Sequence, residues 1–256
     1  MNNLDTGYHE LCQEIILYKK WKDNIKVTFD VGAREDLCLY AAHPDCSYHL
    51  FEPHREFFDN LKNKVLKLKN HDIRLNNCGL FNIKLDNHVY FPNVQSFIPH
   101  WYIPSPDVGI KYPVRTIDDY VIEHEIEHID FLKTDCEGLD YEVLCGASNV
   151  IRDNKVSCIQ FEACRDSQGV IPRSGITRFC ELLTDKYDMY LLLEPVLLAA
   201  IRSVHKTPDQ SNIDYDKGFV DLNKHIIELY DGPLYDAGCG ANVLCIHKNY
   251  KEIYEL

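Results

Sequence analysis

The sequence predicts a single doubly wound α/β domain, a seven-stranded and mostly parallel sheet with helices on both faces. Two observations carry this reading. Short apolar runs suited to buried strands alternate along the chain with segments whose apolar residues recur every three or four positions. Two of the strand-like runs also end in an acid and a turn-former, at Asp30-Val31-Gly32 and at Phe51-Glu52-Pro53. In such sheets the strand ends are where ligands bind.

The elements follow in order. Residues 1–25 hold a leading amphipathic helix, with Leu4, Tyr8, Leu11, Ile15 and Tyr18 on one face. Strands are expected at Lys26–Val31, Tyr48–Phe51 and Ile73–Asn76, with a helix between the last two whose face is Phe58, Leu61, Val65 and Leu68. The stretch 85–114, with prolines at 92, 99, 104, 106 and 113, reads as an irregular insertion on the substrate side. A short helix at Ile117–Glu123 precedes a central strand, Ile129–Thr134. Leu139, Val143, Leu144 and Ala147 then mark a helical face. Val156–Phe161 is a strand, and Ile176, Phe179, Cys180 and Leu183 line the next helix. Tyr187–Leu193 and Val243–His247 complete the sheet. Between them lies a second, polar insertion at 203–233, with one helix expected at Leu222–Leu229.

Composition bounds the function. A length of 256 residues, 45% hydrophobic and 26% charged, suits one globular domain with a sizeable core. The net charge of −13 repels phosphate backbones, so no nucleic-acid partner is expected. The lysines of Lys62–Lys69 read as the solvent face of a helix. No signal peptide is visible, and the apolar run Met189–Ile201 is broken by Glu194-Pro195, so a soluble cytoplasmic protein without a membrane partner is expected. The eleven cysteines are scattered without a Cys-x-x-Cys, and read as reduced thiols rather than zinc ligands or disulfides.

Three segments carry chemistry. In Phe29-Asp30-Val31-Gly32-Ala33-Arg34, a glycine just past the strand allows a cofactor to approach the backbone, or serves the turn sterically, and Asp30 could hold an amino group or organise the loop through hydrogen bonds. Glu52, 22 residues beyond Asp30, could accept hydrogen bonds from both hydroxyls of a ribose; as an alternative it caps the helix entered at Pro53. The turn lacks Gly-x-Gly-x-x-Gly, which disfavours a dinucleotide and favours S-adenosylmethionine, a cofactor with no pyrophosphate to cradle. In Ile129 to Gly138 an apolar strand delivers Asp135 and Glu137 to the same edge, joined by Glu162 from the next strand. A carboxylate there could deprotonate an acceptor hydroxyl; the plainer alternative is a cap on the following helix. Clustered carboxylates could also raise one another's pKa or bind a divalent cation, and the residues do not choose; no metal ligand is assigned.

The string Ile129-Asp130-Phe131-Leu132-Lys133-Thr134-Asp135-Cys136-Glu137-Gly138 with Glu142-Val143-Leu144-Cys145-Gly146-Ala147 resembles the signature of the FkbM-type methyltransferases. Phe29 to Ala33, Phe51-Glu52-Pro53, Asn77-Cys78-Gly79-Leu80, Val114 to Asp119 and Ile159 to Glu162 extend the likeness over about residues 27–163 in order. The resemblance implies a Rossmann-like class I methyltransferase fold and S-adenosylmethionine-dependent O-methylation of sugar or polyketide-like hydroxyls. Carried over, Asp30, Gly32, Ala33, Glu52, Pro53, Asn77 and Cys78 line the cofactor, and Asp135 and Glu137 face the transfer site. One departure stands out: the family's Ala-Asn-x-Gly is Ala33-Arg34-Glu35-Asp36 here, which leaves a non-catalytic copy open.

Within this reading Asp135 is the expected base, with His100 and Glu162 as runners-up. The acceptor is a sugar, glycan or related small molecule, with RNA ribose as the rival. Phe91, Phe97, Trp101, Tyr102 and Tyr112 could stack on sugar rings or simply pack the insertion. Residues 203–233 could form a lid. Two strings are expected to be decoys. His124-Glu125-Ile126-Glu127-His128 matches a zinc-protease motif but straddles a helix end. Asp236-Ala237-Gly238-Cys239-Gly240 resembles a cofactor turn, yet reads as the turn before the last strand.

Overall fold

The computed structural model describes residues 13–68, 72–91, 96–98, 110–136, 138–163, 176–193, 219–222, 224 and 241–256. Strands β1 (Val27–Val31), β2 (Ser47–Phe51) and β3 (Ile73–Asn76) pair in parallel, and β8 (Ile129–Thr134) and β9 (Val156–Ala163) continue the parallel sheet on the other side of β1. Beyond β9 the sheet runs antiparallel through β12 (Ala241–His247) to β10 (Tyr187–Leu192) and β11 (Phe219–Asp221). The order is therefore β11-β10-β12-β9-β8-β1-β2-β3. The chain builds outward from β1 to β3 and then restarts at β8. That reversal opens a crevice at the carboxyl ends of β1 and β8.

This sheet has eight strands rather than seven; the extra one, β11, falls within the expected insertion at 203–233. Leu222 and Lys224 are helical, and the rest of the helix expected at Leu222–Leu229 lies outside the described residues. The stretch 85–114 also proves more regular than its prolines suggest. Strands β4 (Gly79–Leu80), β5 (Leu85–Phe91), β6 (Ser96–Ile98) and β7 (Ile110–Arg115) form a second sheet in the order β4-β7-β5-β6. Pro113 is tolerated inside β7 because the β5–β7 register shifts between Leu85 and His88, where the ladder has no use for the missing N–H.

Among the described residues the helices that cover the main sheet are α1 (Gln13–Trp21), α2 (Cys38–Ala42), α3 (Arg55–Val65), α4 (Ile117–Glu123), α5 (Asp140–Cys145), α6 (Ser148–Arg152) and α7 (Ile176–Leu183). Alternation within the strands divides the core. On β10 and β12, Met189, Leu191, Val243 and Cys245 face α4–α7, while Tyr190, Leu192, Leu244 and Ile246 face α1–α3. Helix α1 is bound by more than apolar contact. Its Tyr18 hydroxyl lies 2.7 Å from Thr28 Oγ1 and 2.9 Å from the Tyr48 hydroxyl, and Trp21 Nε1 donates to the Glu255 carbonyl at 3.0 Å. On the opposite face, the helix expected around 139–147 is α5, which ends at Cys145, and α6 follows it from Ser148. The Asp118 carboxylate accepts from the N–H groups of Asn149 and Val150, at 2.9 and 3.0 Å, and so starts α6 afresh.

The joint between α5 and α6 is Gly146, packed against Phe81 just past the end of β4. A Cβ there would lie 2.0 Å from the carbonyl oxygen of Phe81, a backbone atom that cannot swing away. Gly146→Ala should therefore cost about 1–3 kcal/mol or more in urea unfolding, with the loss traceable to this one contact.

Candidate functional site

The crevice is built around the turn after β1. Gly32 adopts φ +83°, and an added Cβ would meet the Asp135 carbonyl oxygen at 2.1 Å. The glycine that the sequence assigns to cofactor approach is thus required first by the chain itself, because β8 ends against it. The N–H groups of Gly32 and Ala33 donate to the Phe51 carbonyl at 3.0 and 3.1 Å, and Asp135 N–H donates to the Val31 carbonyl at 2.9 Å. Three strand ends are held together in this way.

Glu52, buried, accepts from Arg34 N–H at 2.8 Å through Oε2 and from His54 N–H at 2.6 Å through Oε1. Glu52 thus secures the entry to α3 while standing on the crevice wall. Burial raises its pKa to about 7, against the backbone N–H groups that favour the charged form. Asn77 supports the same turn, its Nδ2 donating to the carbonyls of Glu52 and Pro53 at 2.9 and 3.1 Å.

Asp30 is 6% exposed, and its Oδ1 has no hydrogen-bond partner. The nearest cation is Lys133, whose Nζ lies 3.8 Å from that oxygen and 3.2 Å from Asp135 Oδ2. Burial raises Asp30 to about 6, and Lys133 offsets this only in part. Burial disfavours the Lys133 ammonium as well, but Asp135 and Asp30 outweigh it and hold the lysine protonated. Asp140, also buried, closes the loop after β8 by accepting from Thr134 Oγ1 at 2.6 Å and from Cys136 N–H at 3.3 Å. Its pKa is raised to about 7, by burial above all.

Asp30, Gly32, Glu52, Lys133 and Asp135 border a cavity of about 260 Å³, and Asp140 is not on its wall. The structure brings Asp30, Gly32, Ala33, Glu52, Pro53, Cys78 and Asp135 to its wall, with Asn77 directly behind. Glu162 sits on β9 opposite Asn242, away from that wall. Glu137 and His100 lie outside the described residues. Among the aromatic candidates, Tyr112 is buried beside Phe81, Val114 and Leu139, and its hydroxyl accepts from Arg55 N–H at 2.8 Å, so it packs and braces the α3 entry. The backbones of Phe91 and Phe97 lie in β5 and β6, whereas Trp101 and Tyr102 are outside the described residues.

Sequence reasoning missed three residues, Glu14, Lys133 and Asp140. A lysine inside an apolar central strand was a signal for the second; for Glu14 no local signal existed, since α1 reaches the cavity only through tertiary packing. Asp135 does not cap α5, whose N-cap is Leu139 without a side-chain bond. The zinc-like string spans the end of α4 and a turn with Glu125 at φ +54°. His124 packs against Tyr120 with the rings tilted, and His128 bonds to Ser157. Among the described residues no group of three or more His, Cys, Asp or Glu is placed to hold a metal ion. The turn at 236–240 lies outside the described residues, and the strand expected after it is β12. Among the described residues no helix is long and apolar enough to cross a membrane.

The family model of the methyltransferase FkbM domain matches residues 30–191, and the chain belongs to that family. Its main sheet is that of the Rossmann-like class I methyltransferases, with one more edge strand than the sequence predicts. Among solved structures, the methyltransferase FkbM of Methylobacillus flagellatus KT is 19% identical with a TM-score of 0.48, over 72% of this chain and 45% of that one. The match thus spans less than half the length of that relative. The StiE O-MT is 14% identical with a TM-score of 0.47, over 96% of this chain and 77% of its own. An rRNA methylase from Streptococcus thermophilus is 8% identical with a TM-score of 0.45, over 91% and 93%. No curated protein matches the chain.

Two substitutions test this geometry. Gly32→Ala combines a left-handed φ with a backbone clash, so a loss of about 3 kcal/mol or more is expected in chemical denaturation; a loss below about 1 kcal/mol would mean that β8 does not end against the turn. Asp140→Asn tests the buried acid. A carboxyl raised in the folded state contributes stability that is complete below the ordinary carboxylate range and lost as pH rises through about 7. The advantage of wild type over Asp140→Asn should therefore be about 2 kcal/mol larger at pH 5 than at pH 8, measured by urea melts at both.

Proposed function

We propose that this member of the FkbM family is an S-adenosylmethionine-dependent O-methyltransferase acting on a hydroxyl of a sugar, glycan or related small molecule. The observation that carries the proposal is Asp30 Oδ1, a buried carboxylate oxygen on the cavity wall with no hydrogen bond of its own. Leaving such an atom unsatisfied is costly, and an ammonium is the partner that suits it. The methionine end of the cofactor carries one. Glu52 fits the nucleoside end. Each of its oxygens accepts one backbone N–H, which fixes the carboxylate and leaves lone pairs for two ribose hydroxyls. Ala33, Pro53 and Cys78 give that end its walls, and Asn77 keeps the Glu52–Pro53 turn in place.

S-adenosylmethionine supplies an electrophilic methyl on a positively charged sulfur. The chain contributes alignment of the acceptor oxygen with that methyl, which accounts for much of the acceleration in an in-line displacement, and a base for the hydroxyl proton. Asp135 is assigned that base. Its side chain is 45% exposed at the cavity, tethered by Lys133, and so open to an acceptor arriving from solvent. Acceptor recognition is assigned to the segment 85–114, which carries the aromatic candidates, and to 203–233 as a polar lid. A small acceptor rather than RNA accords with the net charge of −13.

Calorimetric titration with S-adenosylmethionine tests the reading. Saturable binding is expected, weakened about ten-fold or more by Asp30→Ala and by Glu52→Ala. In the wild type, affinity should rise between pH 5.5 and 8, as Asp30 and Glu52 ionise near 6 and 7. Absence of binding at about 1 mM cofactor, or variants that bind as well as the wild type, would sink the proposal.

A further inference from the structure

The charge of the cavity is lopsided. Carboxylates of Glu14, Asp30, Asp36, Glu52 and Asp135 line it, whereas its cations are Lys133 and Arg34. Lys133 is engaged by Asp135 and Asp30, and Arg34 lies with its guanidinium 4.8 Å above the ring of Phe57. Beyond the count, Asp30 Oδ1 is a buried oxygen that lacks a hydrogen bond, so the excess negative charge has a definite unsatisfied focus.

Glu14 is the unexpected member. It belongs to the first turn of α1, upstream of the family-matched residues 30–191. The register of β1, β8 and β9 places Asp30, Lys133 and Gln160 side by side across three neighbouring strands. Helix α1 lies across this face of the sheet, and Glu14 Oε2 accepts a hydrogen bond from Gln160 Nε2. Its charge is felt at both Lys133 and Asp30. A carboxylate is thereby fixed on the cavity wall from outside the matched domain.

We infer that the cavity holds the cationic methyl donor more tightly than the neutral product, and that Glu14 on α1 is a specificity-determining residue that sets this difference. The inference rests on the S-adenosylmethionine reading above. In the transfer the S–CH3 bond breaks with its electron pair remaining on sulfur, the O–CH3 bond forms, and the acceptor proton passes to the base. The adenosine, amino and carboxylate groups are unchanged, so donor and product differ in the cavity by one methyl group and one positive charge. Shape barely separates them, but a surplus carboxylate does, by a Coulomb term that is large in a partly desolvated site. The structure thereby favours loading of the donor and release of the spent cofactor.

The experiment is calorimetric titration of wild type, Glu14→Gln and Glu14→Asp with S-adenosylmethionine and S-adenosylhomocysteine, each at low and high salt. Glutamine keeps an oxygen acceptor for Gln160, and thermal melts check that α1 stays docked. Wild type should prefer the donor, with a preference that shrinks as salt rises. Glu14→Gln should lower the donor-to-product affinity ratio about five-fold, mostly through the donor, and Glu14→Asp should restore most of it. A wild type that binds the product more tightly, or a ratio untouched by Glu14→Gln, would overturn the inference while leaving the cofactor assignment intact. Failure of both ligands to bind wild type would overturn that assignment as well.

Discussion

The site depends on one close approach, the Asp135 carbonyl oxygen against the α-carbon of Gly32. Side-chain bulk at position 32 would push the end of β8 away from β1 and break the hydrogen bond from Asp135 N–H to Val31. With it would go the spacing between Asp30, Glu52 and Asp135, because the same turn also holds β2 through the Phe51 carbonyl. Backbone contacts thus set the cavity before any side chain acts. A left-handed glycine at the switch point lets two strands converge, and a ligand pocket follows from their convergence.

Convergence has an electrostatic cost. Asp30, Glu52 and Asp140 are all buried, and burial raises each of them to between about 6 and about 7. Each carboxyl is retained by a different device. Glu52 has two backbone N–H donors, Asp140 has a hydroxyl and an N–H, and Asp30 has an ammonium just beyond hydrogen-bond distance. The first two are satisfied structural groups that also face, or lie behind, the cavity. Asp30 alone is left in need of a donor. This gradation separates the acid that suits a cationic ligand from the acids that hold loops in place, a distinction that no count of carboxylates could make.

Most of the central sheet could be read from the sequence because its strands are short apolar runs with the alternation that a doubly covered sheet imposes. The bounds of β3, β8 and α4 coincide with the expected ones. The small sheet was hidden for a physical reason: β4 has two residues and no periodicity, and Pro113 marks β7 as irregular although a register shift accommodates it. The strand β11 was hidden in the same way, three residues within a polar segment. At the site, Asp30, Glu52 and Asp135 were legible because strand ends announce themselves. Asp140 was overlooked because an acid early in a helix looks like an ordinary dipole partner. Glu14 reaches the cavity only through the packing of Ile15, Leu17 and Tyr18 beneath it, which sequence spacing alone cannot show.

The one departure from the family turn, Ala33-Arg34-Glu35-Asp36 in place of Ala-Asn-x-Gly, takes on a different weight once the backbone is known. The left-handed positions are Gly32, at φ +83°, and Arg34, at φ +52°; Asp36 is not left-handed. The glycine missing at position 36 is therefore not needed for the conformation, and the aspartate there does useful work, its Oδ1 accepting from Cys38 N–H at 2.8 Å at the start of α2. The strain falls instead on Arg34, since arginine tolerates the left-handed region less well than asparagine does. That residue is secured by the Glu52 carboxylate on its N–H and by Phe57 under its guanidinium. The turn thus keeps its shape through compensating contacts, with the buried acids grouped around it.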